Sequence, residues 1–244
     1  MTQSNYPLLI NRRNVCCLSR WLTVFLTVTL LSSCATTRQG RSVEAAGFLG
    51  NYSQLQEKGG DEALKVYINP DVDCQKYKQV YIEPVQFWAK GKNSDLGKLP
   101  ANEKQMLVNL AMSAIIKGVR TNYSIAQQPG PGVMTIRGAI TEAEESWVAL
   151  DTVSSIVPQM RALSEITGLL TGKPSFTGLV AAEVEIIDSQ SHERLFAAVD
   201  KRIGGKALSG VTDSWDDVKQ AFDYWSNKVS KRMNQCSTKG TFAF

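Results

Sequence analysis

The chain of 244 residues is 43% hydrophobic and 20% charged, a composition typical of a globular protein with a substantial core. Its 27 basic and 23 acidic residues give a net charge of +4, but three arginines and no acidic residue lie within residues 1–33. The rest of the chain is therefore nearly neutral, which excludes the strongly basic surface that nucleic-acid binding needs.

The N-terminal segment has the layout of a secretory signal. Three arginines lie before an apolar run over residues 21–31, and small residues follow it. The run is about half the length that a membrane-spanning helix needs. The stretch Leu31-Ser32-Ser33-Cys34 resembles the lipobox of bacterial lipoproteins, which implies cleavage between Ser33 and Cys34. The alternatives are an uncleaved N-terminal anchor or a buried helix, and neither accounts for Ser32-Ser33-Cys34.

The lipobox resemblance implies a membrane anchor at Cys34. By that resemblance, residues 1–33 are a signal peptide that is removed, and Cys34 becomes an N-terminus that carries three acyl chains. One acyl chain binds a membrane only marginally, whereas several hold a protein there stably. The next residue is Ala35 rather than Asp, which implies sorting to the outer membrane, facing the periplasm. Residues 34–46 are predicted to be the lipidated N-terminus and a tether.

Two cysteines, Cys74 and Cys236, remain in the mature chain as candidates for a disulfide. Of the five cysteines, Cys16 and Cys17 leave with the signal, and Cys34 is lipidated. The periplasm is oxidising, so a bond between the two suits the compartment, and two separate thiols are the alternative. Bridging requires Cα atoms within about 7 Å, which the sequence does not establish.

The sequence of the mature chain predicts a single domain over residues 47–244. Its clearest element is the last helix, because apolar residues recur every three or four positions from Trp215 to Met233. The others, in chain order, are an irregular docked segment over 47–55, strands over 64–68 and 78–87, a helix over 102–121, a hairpin of 123–127 with 133–141, a helix over 151–171, and a hairpin of 176–188 with 194–203. Because hairpins pair antiparallel, we expect the α+β class, with one mostly antiparallel sheet of about five strands packed against two or three helices.

No arrangement of residues in the sequence indicates catalysis. His192 is the one histidine and lies in a predicted turn, so the usual zinc sites have no ligand set. Glu142, Glu144 and Glu185 are candidates for the paired carboxylates of a hydrolase. However, alternating glutamates along a strand, such as Glu183 and Glu185, more often mark its solvent face. We therefore expect a protein with no catalytic residues, no metal site and no cofactor.

Residues in several segments form a recognisable set: Gly47-Phe48-Leu49 with Tyr52 and Leu55, Tyr77 with Val80, Ile82, Pro84 and Val85, and the strand patterns over 182–188 and 195–199. Over about residues 40–235 this set resembles an uncharacterised family of bacterial lipoproteins, catalogued as domain of unknown function 3313. The resemblance supplies no catalytic residues. Its αβ arrangement is similar to small periplasmic lipoprotein domains that assist envelope assembly or secretion.

These observations favour a non-enzymatic accessory or adaptor of a cell-envelope complex. The candidate interface for an envelope protein is Phe48, Leu49, Tyr52, Met160 and Leu163, and the alternative is that these residues close the core. A second hypothesis is a periplasmic domain that binds a lipid or small ligand, which predicts an apolar cavity of roughly 300 Å³ or more between sheet and helices. A periplasmic hydrolase is the least favoured.

Overall fold

The computed structural model describes residues 37–88, 95–144, 178–204 and 215–242. All of them belong to one compact unit, Thr36–Phe244, whereas the unit Met1–Ala35 lies outside the described residues. The predicted cleavage site at Ser33 and Cys34 therefore lies outside them. The predicted helix over 151–171, with the interface candidates Met160 and Leu163, lies outside them as well.

The described residues form nine strands and three α-helices. The strands are β1 (Arg38–Gln39), β2 (Gln56–Glu57), β3 (Lys65–Ile68), β4 (Gln79–Ile82), β5 (Gln86–Phe87), β6 (Ser124–Ile125), β7 (Val133–Glu144), β8 (Leu179–Asp188) and β9 (Arg194–Ile203). The helices are α1 (Asp95–Lys98), α2 (Ala101–Val119) and α3 (Asp216–Lys239), and a single 3₁₀ turn covers Cys74–Lys76. None of the described helices is long and apolar enough to cross a bilayer.

All nine strands belong to one mixed sheet, so the prediction of about five mostly antiparallel strands was wrong. The order is β2-β3-β9-β8-β7-β4-β6, with β1 beside β9 and β5 beside β7. Strand β4 pairs in parallel with both β6 and β7, and β5 pairs in parallel with β7. Four of the strands are two residues long, and such short strands have no apolar period that a sequence could display.

The parallel pairs arise because α2 connects one edge of the sheet back to itself. A strand that is followed by a crossover helix returns in the same direction, as β4, α2 and β6 do. The predicted hairpin of 123–127 with 133–141 was therefore wrong. Strand β4 lies between β6 and β7, and residues 126–132 carry the chain from one side of β4 to the other.

The other predicted hairpin is confirmed. Strands β8 and β9 pair antiparallel, with Glu183 opposite Val199 and Leu179 opposite Ile203. Strand β7 pairs antiparallel with the other side of β8. The segment predicted as one strand over 78–87 is divided into β4 and β5, with Pro84 in the gap, because proline cannot donate to a strand ladder.

The sheet has one face covered by helices and one covered by the N-terminal segment. Helices α2 and α3 pack on the first face, where Val80, Ile136 and Met233 are part of the core. The two helices meet at Gly118, where a Cβ atom would lie 2.7 Å from the Val229 side chain. On the opposite face, Phe48 packs with Ala197 and neighbouring small side chains.

Part of the predicted tether belongs to the fold. Within the range 34–46, Arg38 and Gln39 form β1 and pair antiparallel with Ile203 and Arg202 of β9. The Gly40 N–H continues this ladder, donating to the Lys201 carbonyl at 2.8 Å. The sequence indicates only a polar stretch here, since the partner strand that orders it lies about 160 residues away in the sequence.

A disulfide joins the 3₁₀ turn to the end of α3. Cys74 and Cys236 are both buried, and their Cα atoms lie 5.2 Å apart. Gly240, with a left-handed backbone, caps the C-terminus of α3. Its carbonyl accepts a hydrogen bond from the Cys74 N–H at 2.8 Å. Of the two alternatives for these cysteines, the structure contains the bond rather than two thiols.

Reducing this disulfide should destabilise the domain. The bond links residues 162 positions apart, so it strongly restricts the unfolded chain. We expect reduction to lower the free energy of unfolding by about 2–5 kcal/mol, measured by urea denaturation with and without reductant. The Cys74→Ser/Cys236→Ser variant is the control, because reductant should not change its stability. Equal stability of the oxidised and reduced wild-type chain would contradict the bond.

Candidate functional site

The first described residues are held against the sheet by a buried arginine. Arg202 of β9 is 5% exposed, and its guanidinium donates to the Thr37 carbonyl at 2.5 Å and to Thr37 Oγ1 at 3.2 Å. The same guanidinium lies over the Tyr224 ring, 3.9 Å from its centroid. An aromatic face and directed acceptors compensate a guanidinium for lost water better than an apolar wall would. Thr37 is consequently 6% exposed.

A second buried group, the Asp200 carboxylate, connects β1 to α3 through hydrogen bonds. The Gln39 side-chain amide donates to Asp200 Oδ1 at 3.0 Å and to the Glu62 carbonyl at 2.6 Å. The other oxygen of Asp200 accepts from the Trp225 indole of α3 at 2.8 Å. We call Thr37, Gln39, Asp200, Arg202 and Trp225 the N-terminal clamp. It makes the chain from Thr37 onward part of the folded domain.

On the opposite face of the sheet, a buried carboxylate orders the segment over residues 46–52. Glu183 of β8 is fully buried and accepts from the Ala46 N–H at 2.6 Å, the Leu49 N–H at 3.3 Å and the Tyr52 hydroxyl at 2.5 Å. Burial, reinforced by Glu183, raises the pKa of Tyr52 to about 12, so the hydroxyl stays a donor. A buried carboxylate needs such donors, because its desolvation is costly without them.

The neighbouring glutamate extends this arrangement through two arginines. Glu185 is paired with Arg137 at 2.8 Å and with Arg194 at 2.9 Å. Arg194 also donates to the carbonyls of Leu49 and Asn51, both at 2.7 Å. The segment thus receives acceptors from Glu183 and donors from Arg194. The interpretation of Glu183 and Glu185 as a solvent face was wrong, because this segment covers them.

The interface candidates in this segment are largely buried. Phe48 and Leu49 are 8% and 5% exposed and pack on Ala139, Ala197 and Val199. Tyr52 is half-buried and donates to Glu183. Their burial favours the alternative in which the segment closes the core. It does not favour an exposed docking surface at these residues.

Two of the hydrolase candidates, Glu142 and Glu185, are not brought together. Glu142 of β7 is opposite Ala181, four residues along β8 from Glu185, which corresponds to about 13 Å. Paired glycosidase carboxylates lie roughly 5–9.5 Å apart. Glu142 is also ion-paired with Lys201 at 2.7 Å, and Glu185 with its arginines. His192 is exposed in the turn between β8 and β9. Within the described part of the chain, no three His, Cys, Asp or Glu side chains are grouped to hold a metal.

A cavity of about 150 Å³ lies between the sheet and the helices α2 and α3, smaller than the roughly 300 Å³ that the ligand-binding hypothesis predicts. We call it the sheet–helix cavity. Its apolar walls include Ala111, Ala114, Ile115, Gly138, Val184 and Phe222, and its charged lining residues are Glu62, Glu183, Asp200, Lys228 and Arg232. Asp200 and Arg202 were not among the site residues predicted from the sequence. The signal that marks them is that charged residues follow directly on the apolar run over 195–199 of β9.

Comparison with known proteins identifies a family and no characterised relative. The model of a family described as "Protein of unknown function (DUF3313)" matches residues 44–229. No curated protein matches the sequence.

Solved structures with similar regions share little sequence with this chain. The PelC dodecamer from Paraburkholderia phytofirmans is 12% identical, covering 68% of this chain and 94% of its own, with a TM-score of 0.37. Protein XCC0632 from Xanthomonas campestris is 7% identical, covering 67% and 87%, with a TM-score of 0.34. Lipoprotein GNA1162 from Neisseria meningitidis is 13% identical, covering 55% and 89%, with a TM-score of 0.24. Such low TM-scores carry no inference about function.

Removing the Glu183 carboxylate should destabilise the domain. Glu183→Ala leaves the Ala46 N–H and the Tyr52 hydroxyl without their acceptor, and it removes one of the two acceptors of the Leu49 N–H. Each buried donor without an acceptor costs about 1–3 kcal/mol, so we expect a loss of at least about 2 kcal/mol in urea denaturation. Glu57→Ala, an exposed position in β2, is the control and should change stability by less than about 0.5 kcal/mol. Equal stability of the two variants would contradict the role assigned to Glu183.

Proposed function

The chain belongs to the DUF3313 family of proteins of unknown function, and we propose that it is a lipid-anchored lipoprotein of the outer membrane. We further propose that it acts without catalysis, as an accessory or adaptor of a cell-envelope complex on the periplasmic side. Its contact with the membrane is through acyl chains on Cys34.

The observation that carries this proposal is the sequence Leu31-Ser32-Ser33-Cys34 placed directly before a folded domain. Arginines and a short apolar run precede it, as in a secretory signal. Strand β1 begins at Arg38, and Thr37 is already buried beneath Arg202. A lipid-bearing cysteine is useful only if the fold begins after it, and here the buried Thr37 follows Cys34 by three positions.

This arrangement makes the anchor short. A chain spans at most about 3.6 Å per residue, so the Cα atom of Cys34 lies within about 11 Å of that of Thr37. Each buried methylene contributes about 0.8 kcal/mol to membrane binding, so several acyl chains hold the protein stably. The proposed anchor therefore keeps the end of β9 close to the membrane surface, where a partner in the envelope would meet it.

A role without catalysis is supported by the carboxylates. Glu142 and Glu185 are each held in ion pairs, and the strand register separates them by more than paired catalytic carboxylates tolerate. The ion pair of Glu185 with Arg194 also supports the segment over residues 46–52, because Arg194 donates to the Leu49 carbonyl. These groups therefore have structural partners that account for them.

The anchor is tested by Cys34→Ala in the full chain. We expect this variant to lose metabolic labelling with a fatty acid, because the acceptor thiol is gone, while the wild-type chain labels and sediments with outer-membrane vesicles. Cys17→Ala is the matched control, since Cys17 leaves with the signal and its loss should change neither readout. Full labelling of the Cys34→Ala chain would overturn the assignment.

The same pair of variants tests the adaptor role. Crosslinking in intact cells should join the wild-type and Cys17→Ala chains to one defined envelope protein, and the yield should fall at least several-fold for Cys34→Ala. Equal capture by the unanchored chain, or no captured envelope protein in any of the three, would contradict an anchored adaptor.

A further inference from the structure

The sheet–helix cavity is formed by small side chains at positions where larger ones would fit. Gly138 of β7 lies on its wall, and a Cβ atom there would have its nearest neighbours at 3.8 Å and 3.9 Å, the second being Ile115 Cδ1. Ala111 and Ala114 of α2 lie on the same wall. The space is therefore left by the choice of residues in both the sheet and the helix.

The two helices are held apart beside this space. Gly118, one turn along α2 from Ala114, is in tight contact with Val229 and the Ser226 carbonyl of α3. That contact fixes the distance between α2 and α3, so neighbouring side chains do not collapse into the cavity. A cavity of about 150 Å³ has room for an apolar group of about six carbons.

Four of the five charged residues that line the cavity come from one part of the fold. Glu62 precedes β3, Asp200 belongs to β9, and Lys228 and Arg232 belong to the second half of α3. Arg232 is paired with Glu62, and Lys228 with Asp61. Lys228 keeps 27% of its side chain exposed, so its ammonium can exchange partners with solvent and solutes. The cavity thus has apolar walls of α2, β7 and β8 and, at α3, a charged edge where Lys228 and Arg232 lie beside the carboxylates of Glu62 and Asp200.

We infer that the sheet–helix cavity binds an acyl chain, with the alkyl end between Gly138 and Ala111 and the carboxylate near Lys228. An alkyl chain matches the apolar walls, and the carboxylate of a free fatty acid matches the ammonium at the edge. The size favours a chain of about eight carbons, most of which fills the enclosed space. This inference does not depend on the proposed anchor.

The test is calorimetric titration of octanoate into the unlipidated chain, secreted behind a cleavable signal that leaves residues 35–244. Every contact described above lies within residues 37–242, so this chain retains them. We expect saturable binding with a negative heat-capacity change, the signature of apolar burial. A wild-type chain that binds neither octanoate nor octanol would overturn the inference and identify the cavity as a packing defect.

Variants separate the cavity from other surfaces. Gly138→Val fills the space and should weaken octanoate binding at least tenfold, whereas Gly138→Ala, which leaves part of the space open, should weaken it less. Ala101→Leu, at an exposed position at the start of α2, should bind as the wild type does. A cooperative thermal transition of each variant verifies its fold. Unchanged binding by a folded Gly138→Val chain would overturn the inference.

The charged edge is tested with an uncharged ligand. Lys228→Gln should weaken octanoate binding several-fold and leave octanol binding unchanged, since only the carboxylate meets the ammonium. Equal loss for both ligands would contradict the assigned orientation. Repeating the octanoate titration with the lipidated chain in nanodiscs distinguishes the source of the acyl chain. Retained binding supports a free fatty acid, whereas loss supports a chain from the membrane or from Cys34.

Discussion

The pairing of β1 with the end of β9 is the constraint that connects the proposed membrane anchor to the fold. Two residues of backbone pairing would be weak alone, but the N-terminal clamp adds a buried arginine on Thr37 and a buried aspartate on Gln39. The aspartate also accepts from Trp225, so α3 is fixed by the same group. The start of the domain, its longest helix and one edge of the sheet are consequently held together by strand β9.

The two faces of the sheet are completed in different ways. On the helix face, α2 and α3 bury apolar side chains and leave the sheet–helix cavity between them. On the other face the segment over residues 46–52 supplies the apolar layer, and Glu183 and Arg194 form hydrogen bonds with its backbone groups. Burying these charges is tolerable only because donors and acceptors meet them directly. The proposed adaptor therefore has no free surface at Phe48 and Leu49.

Sequence patterns predicted the parts of this fold that depend on local periodicity. Helices α2 and α3 and the β8–β9 hairpin have apolar spacing that is visible over ten residues or more. Strands β1 and β6 have two residues each, and their pairing depends on distant partners. The parallel order depends on where α2 returns the chain. Glu183 was misjudged because alternation along a strand looks the same whether water or another segment covers that face.

The central claim is that the mature protein begins at a lipid-bearing Cys34 and is already folded a few residues later. Intact and N-terminal peptide mass spectrometry of the protein extracted from membranes measures this most directly. The account predicts a chain that starts at Cys34 and carries the mass of three acyl chains and their glycerol, with no residue of 1–33 present. A chain that retains Met1, or one that starts at an unmodified Cys34, would contradict it.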